Sequence, residues 1–339
     1  MSKLENTFDL QQAIKLPAAD AGPIRFELFT GPGFDAFEAT AITQTLSLAN
    51  QVAARTLFEW RFVSDKPGLV TGSNGMLVRA DPAVDNYNLS EVMIVVGGTS
   101  ARAANWMTRA RQMQRKALTI VLLSDAATAY IRATHMPTGQ VTTHWRDAAQ
   151  LQETGYHPTL TQTLSERSDG IITAAGSGAT AELVIGLIAP LLDAPQVAEL
   201  GNLLLLPLIR KSNAEQPKDI ADNPGLFGPH VTLAIKLMEA SISDPVPMAE
   251  LTQQVGVSTR HLERIFRTVF DQSPARFYKR LRTKRARAMI EETLVPLIDV
   301  AMAAGFGSAD AMCKAVKDEY GLTPSKMRAR TDVSLLKFA

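Results

Sequence analysis

The sequence predicts two domains of different class, an α/β domain built on a mainly parallel sheet and an all-α domain that holds one helical hairpin twice. Three observations carry this. From Ile24 to about Leu192 short apolar runs alternate with helix-length segments, and from His230 onward nearly everything reads as short helices. In that second part Ser258 and Ser308, Phe270 and Tyr320, and Pro274 and Pro324 are each fifty residues apart, with a glycine two or three positions before each serine. At 339 residues the chain is long enough for two ordinary cores.

In chain order, Ile24 to Thr30, Phe58 to Ser64, Val92 to Val96, Leu118 to Leu123 and Gly170 to Thr173 are short, bounded by turn residues, and mostly β-branched or aromatic, as buried strands are. Between them Ala36 to Ala54, Ser100 to Lys116, Ala126 to Thr134 and Ala179 to Leu192 have helical length. Such alternation implies parallel strands covered on both faces, with ligands at the carboxyl ends of the strands. Residues 211–229, polar and rich in proline and glycine, are the expected linker. Beyond it helices are expected at His230 to Ile242, Met248 to Val255, Thr259 to Phe270, Pro274 to Thr293, Pro296 to Ala304 and Ala309 to Glu319, with a last turn near Pro324 to Arg330. Residues 1–22 are polar, without an apolar core of a signal peptide, and are expected to be a flexible tail.

Composition narrows the function classes. With 46% hydrophobic and 20% charged residues the chain is of the soluble globular kind, and its most apolar stretch, Ile171 to Leu192, carries Glu182 and several glycines, unlike a membrane span. The single cysteine, Cys313, rules out an internal disulfide and cysteine-clustered zinc, and fits a cytoplasmic protein. No cofactor or metal is expected. The overall charge of +1 hides a split: from His230 onward there are 17 Lys+Arg against 12 Asp+Glu, and before it 18 against 22.

In the first hairpin, Leu251, Val255, Leu262, Ile265 and Phe266 sit where two helices must pack, Gly256 supplies the turn and Ser258 can cap the second helix. Arg260, Glu263, Arg264 and Arg267 then face outward on a helix that could lie in a major groove. The joining helix carries Arg276, Lys279, Arg280, Arg282, Lys284, Arg285 and Arg287 with no acid from Ser273 to Ile290, a pattern suited to neutralising phosphates. Over about residues 230–330 this resembles the AraC/XylS regulators, through Ser258-Thr259-Arg260-His261-Leu262-Glu263-Arg264-Ile265-Phe266, Val300-Ala301 with Ala304-Gly305-Phe306, and Tyr320-Gly321-Leu322-Thr323-Pro324. The resemblance implies two helix-turn-helix units entering successive major grooves of double-stranded promoter DNA. Carried over by position, base contacts fall on Arg260, Glu263 and Arg264, and on Asp310, Ala311 and Lys314, with Arg267, Lys279, Arg282 and Arg285 as further DNA contacts. The second helix departs from the family's Ser-His-Phe-Ser-Arg-Ala-Phe-like segment, so the first unit is expected to dominate specificity.

Upstream, Leu122-Leu123-Ser124-Asp125-Ala126 follows an apolar strand and opens a helix, as a nucleophile elbow does, with Thr142-Thr143-His144-Trp145 twenty residues on. With Gly33-Phe34-Asp35-Ala36-Phe37-Glu38 and Val95-Val96-Gly97-Gly98 it resembles the ThiJ/PfpI branch of the class I glutamine amidotransferase-like proteins, and most of all the GlxA-type AraC regulators that carry this domain first. That implies a flavodoxin-like parallel-sheet sandwich over residues 23–210, serving effector sensing and dimerisation. The family's elbow cysteine maps to Ser124, its histidine to His144 and its acid to Glu38. Serine needs a well-placed base, and Asp125 beside it would oppose an oxyanion, so no catalytic residue is assigned. Phe29, Phe34, Glu38, Gly98, Thr99, Ser124, Asp125 and His144 are the candidate effector contacts because they follow strand ends. Structural roles stand beside these: Ser124 as a helix cap, His144 as a partly buried ring on Trp145. Gly176-Ser177-Gly178 reads as a close helix-sheet approach rather than a phosphate cradle, and Glu182 as a tether for its helix.

The resemblance thus implies a transcription regulator responding to a small molecule, with a homodimer as its working form and RNA polymerase as a partner if it activates. Phe58-Glu59-Trp60-Arg61 and Ser73-Asn74-Gly75-Met76 resemble segments of relatives that sense arginine, betaines or carnitine, which implies an amino acid or quaternary amine, with Glu38 or Asp125 as counter-charge. Leu203-Leu204-Leu205-Leu206 fits either a dimer contact or core packing. Two other readings remain: a hydrolase or amidotransferase-like enzyme using Ser124 and His144, and a nucleoid-structuring protein with no ligand pocket.

Overall fold

The computed structural model describes residues 22–83, 89–103, 105–134, 139–155, 157–222, 226–293 and 295–329, so most of the expected tail lies outside the described residues. The chain divides into two compact units between Gln216 and Pro217.

The first unit holds an eight-stranded sheet. Its strands are β1 (Ile24–Phe29), β2 (Phe58–Ser64), β3 (Gly68–Thr71), β4 (Leu77–Pro82), β5 (Val92–Val95), β6 (Thr119–Leu123), β7 (Ser165–Ser168) and β8 (Ile171–Ala174), in the order β3-β4-β2-β1-β5-β6-β8-β7. The inner pairs are parallel, and the edges β3 and β7 run antiparallel. Successive residues of a strand point to opposite faces, and two separate cores follow from that. Ile24, Phe26, Leu28, Ile94, Val121 and Leu123 join one, under α1 (Ala36–Val52), α5 (Thr180–Ile188) and α6 (Ala194–Leu203). Phe29, Met93, Val95, Ile120 and Leu122 join the other, with Trp106, Met113 and Ala126 from α2 (Met107–Arg115), its N-cap, and α3 (Ser124–Thr134).

The strands β1, β2, β5, β6 and β8 lie where expected. The hairpin of β3 and β4 and the edge strand β7 were not anticipated: they are only four to six residues long, β3 and β4 are mostly exposed, and β7 is Ser-Glu-Arg-Ser. The helix α4 (Trp145–Thr154) was missed for its polarity. The expected helix from Ser100 to Lys116 is broken into a tight turn at Ala101–Ala103 and α2. One buried pair had no sequence counterpart: Glu27, in the middle of β1, receives Arg109 of α2 through two contacts of 2.5 and 2.6 Å, and Arg109 also donates to Ala83 O.

The expected linker is shared between the units. Ser212 and Ala214 carbonyls accept from Ser165 and Leu164, and the buried Gln216 amide donates to the Thr143 and Thr163 carbonyls, which ties residues 211–216 to the sheet unit. On the other side Ala221 is buried in the helical core and Ile220 N–H donates to Glu239.

The second unit comprises α7 (Pro229–Ala240), α8 (Met248–Val255), α9 (Thr259–Phe270), α10 (Pro274–Glu292), α11 (Leu297–Ala303), α12 (Ala309–Tyr320) and a helical turn at residues 324–329. Both hairpins are capped alike: Ser258 accepts from His261 N–H and Ser308 from Ala311 N–H. Before the caps, equivalent residues are 49 apart (Leu251 and Val300, Val255 and Ala304, Gly256 and Gly305); after them they are 50 apart (Leu262 and Met312, Phe266 and Val316, Phe277 and Met327). Gly307 is the added residue, so the second turn is one residue longer. The helix α10 serves both copies, since Phe277, Tyr278 and Leu281 close one core while Ala286, Met289 and Ile290 close the other.

Candidate functional sites

At the elbow, α3 begins on the residue that ends the β6 turn, and Ser124 takes a left-handed φ of 38°, a conformation that costs a non-glycine residue energy. Its hydroxyl does not address His144. It donates to Glu38 Oε1 at 2.9 Å. Glu38 is fully buried and also accepts from Gly97 N–H and Ser177 N–H, both at 2.8 Å. Burial pushes the Glu38 carboxyl up to about 7, with the two backbone donors and Ser124 pulling the other way. The close approach depends on glycine: a Cβ on Gly176, whose φ is +71°, would lie 2.0 Å from Glu38 Oε1, and one on Gly97 2.0 Å from Ser124 Oγ. Ser177-Gly178 therefore follows a glycine that permits a helix start to bind a carboxylate of the protein itself.

His144 has another task. Its Nδ1 accepts from Arg146 N–H as the cap of α4, its ring lies 5.5 Å from that of Trp145, and burial holds its pKa below the ordinary value. The segment touches the elbow through its neighbour, as Thr143 Oγ1 donates to Ser124 O at 2.9 Å. The Ser124–His144 pair expected of an enzyme is thus not formed. Asp125 is engaged as well: Oδ2 accepts from Gly98 N–H at 2.9 Å and Oδ1 from Arg102 Nε at 2.6 Å.

The other candidate effector contacts separate. Phe29 and Phe34 are core residues, 6% and 0% exposed, whereas Thr99 is exposed and reaches Pro32 O at 3.4 Å. Glu38 is 0% exposed and already holds three donors. Beside α3 opens a cavity of about 330 Å³, lined by Arg102, Asp125, Thr128, Arg132 and Asp147 with the apolar Met107 and Ala129. Arg102, Arg132 and Asp147 were not anticipated because only the fold gathers them. Glu182, as expected, is a tether: it accepts from the Arg210 backbone N–H at 2.9 Å and from the guanidinium.

In the helical unit, Leu262 and Phe266 of α9 are buried while Arg260, Glu263, Arg264 and Arg267 are exposed along the opposite side. On α12, Asp310 and Lys314 are exposed at the positions equivalent to Arg260 and Arg264, and Ala311 is exposed at that of His261, with Met312, Ala315 and Val316 buried. Lys279 and Arg285 of α10 are exposed, and three further cations of that helix hold partners within the domain. Arg280 pairs with Glu319 at 2.7 Å, Arg287 with Glu291 at 2.8 Å, and Arg282, expected among the phosphate contacts, donates to Gly305 O at 2.9 Å. The acids absent from the stretch itself come from its end and from α12. Among the described residues no helix is long and apolar enough to cross a membrane.

Residues 28–189 match the DJ-1/PfpI family and residues 251–330 match a helix-turn-helix domain family. The chain is 28% identical over 305 residues to the HTH-type transcriptional regulator CdhR of Pseudomonas aeruginosa, covering 88% of this chain and 89% of that one. To the regulator GbdR of the same species it is 25% identical over 316 residues, covering 92% and 86%. To the regulator GlxA of Rhizobium meliloti it is 25% identical over 293 residues, covering 85% and 90%. With its sheet unit ahead of a duplicated helix-turn-helix, the chain joins a DJ-1/PfpI-family domain to an AraC-type helix-turn-helix domain, is similar along most of its length to the GlxA-type transcriptional regulators, and is itself a DNA-binding transcription regulator that responds to a small molecule.

Proposed function

We propose that this regulator reads its promoter chiefly through α9, with Arg260, Glu263 and Arg264 facing base edges and Arg267 the adjacent backbone. Arginine suits this place because its planar fork takes guanine O6 and N7 together. Lys279 and Arg285 grip phosphates, and α12 contributes Asp310, Ala311 and Lys314, a set better suited to holding register than to discrimination. The observation that carries this is the division of α9 into a buried side (Leu262 and Phe266) and an exposed polar side (Arg260, Glu263, Arg264 and Arg267).

The sheet unit is a sensor without chemistry. Ser124 is bound to Glu38 rather than to a base, and Asp125 covers the Gly98 donor, which supports a binding role over a hydrolytic one. The effector, an amino acid or quaternary amine, enters the cavity beside α3, where Asp125 and Asp147 face a cation and Arg102 and Arg132 a carboxylate. The working form is a homodimer, and RNA polymerase is a further partner where the protein activates.

The test uses the full chain. DNA recovered from a random pool, with and without amino acids, betaines and polyamines, is expected to yield one enriched operator whose affinity changes with one of these compounds. Recovery of no enriched sequence would refute the reading of α9.

A further inference from the structure

Arg282 stands between the two helix-turn-helix copies. Its guanidinium carbon lies 5.5 Å from the ring centre of Tyr278 and 5.2 Å from that of Phe306. Tyr278 belongs to the first core and Phe306 to the second. Arg282 Nη1 also donates to Gly305 O, the turn residue of the second hairpin, at 2.9 Å. Its Nε is buried without a hydrogen-bond partner, the cost of lying between rings rather than in water.

The rings are held in turn. Tyr278 OH donates to Ser241 O at 2.8 Å and accepts from Val246 N–H at 3.3 Å, which fixes it to the connection between α7 and α8. The same connection abuts the second turn directly: a Cβ on Gly305 would lie 2.2 Å from Ile242 O and 2.8 Å from a Pro245 carbon. The connection, α10 and the second turn therefore meet around Tyr278, Arg282 and Gly305, and Ser308, the cap of α12, follows three residues after Gly305. Any shift of this contact moves the start of α12 relative to α9.

We propose that Arg282 is a positioning residue that fixes the distance and phase between the two base-facing helices, and so sets the spacing of the two half-sites that the protein accepts. The proposal rests on the reading that both α9 and α12 enter the groove. A guanidinium is suited to this task because it can stack on two rings and donate in its own plane at once, which an ammonium cannot.

The test compares the wild-type full chain with Arg282→Gln and Arg282→Lys. DNA selected by the wild type is expected to carry a strong submotif under α9 and a weaker one under α12 at one dominant separation. Adding one base pair between them, about a tenth of a turn, is expected to weaken wild-type binding by about tenfold or more. Both variants are expected to keep the submotifs while accepting neighbouring separations, with a loss of less than about threefold per added base pair and an unchanged salt slope. A phosphate contact would instead lower that slope by about one in the Gln variant and be restored by Lys, and this overturns the proposal. Wild-type tolerance of altered separations overturns it whether or not the variants fold. Selection of a single submotif overturns the two-helix reading itself, and the proposal with it.

Discussion

Asp125 Oδ2 accepts the Gly98 backbone N–H at 2.9 Å, so this backbone donor beside the elbow already faces a carboxylate held by Arg102. An oxyanion placed there would meet a negative charge in place of a hydrogen bond. Ser124 is therefore expected to take no acyl group from an activated ester. Peptide mass analysis after exposure to p-nitrophenyl acetate checks this, and an acetyl group mapped to Ser124 would count against a purely sensing domain.

The Glu38 carboxyl, raised to about 7 by burial, gives the sheet unit a pH signature. The folded state holds the proton more tightly than the unfolded chain, so this group stabilises the fold fully below its unfolded value near 4.5, and the contribution declines as pH rises from there through about 7. In urea unfolding, Glu38→Gln is expected to flatten the fall in stability between pH 5 and 8, a window taken from those two values. Parallel wild-type and variant profiles would show that Glu38 is ionised throughout.

Arg264 and Lys314 occupy equivalent exposed positions on α9 and α12. Arg264→Ala is expected to cost about 1–3 kcal/mol against the selected operator and to relax preference at one base position. Lys314→Ala is expected to weaken operator and unrelated DNA by similar factors, with only a small loss of preference at the weaker submotif. Competition binding measures both, and an equal loss of discrimination would mean that the copies share recognition.

Glu27 and Arg109 are 0% and 4% exposed. Removing Arg109 leaves the buried Glu27 only the partly exposed Arg61, at 3.6 Å, so Arg109→Ala is expected to cost about 3 kcal/mol, and the double change Glu27→Leu with Arg109→Met much less. Urea midpoints decide this. A small loss for the single variant would show that Glu27 sheds its charge cheaply.

What the sequence revealed and concealed follows from the range of each interaction. The inner strands and most of the helices were legible because burial on both faces writes long apolar runs, and the caps Ser258 and Ser308 because capping is local. The edge strand β7 was not, since its four residues are paired on one side and polar. Ser124, Glu38 and Asp125 were identified by position, but their partners come from distant segments: Ser177 is 139 residues from Glu38. The partners of Arg282 were hidden for a related reason. Among a run of like charges it is indistinguishable from Lys279 or Arg285, and only the approach of Phe306 and Gly305 sets it apart.

The shared helix α10 also changes what the duplication means for folding. Its first half completes the core of Leu262 and Phe266, and its second half that of Met312 and Val316. Neither copy can be cut out with its own full complement of walls, so melting one end of α10 deprives its copy of a wall and loosens the helix that the other copy needs. The two copies should therefore melt in one transition, with amide exchange equally slow along the whole of α10. A protease that nicks the middle of that helix would dismantle both copies at once.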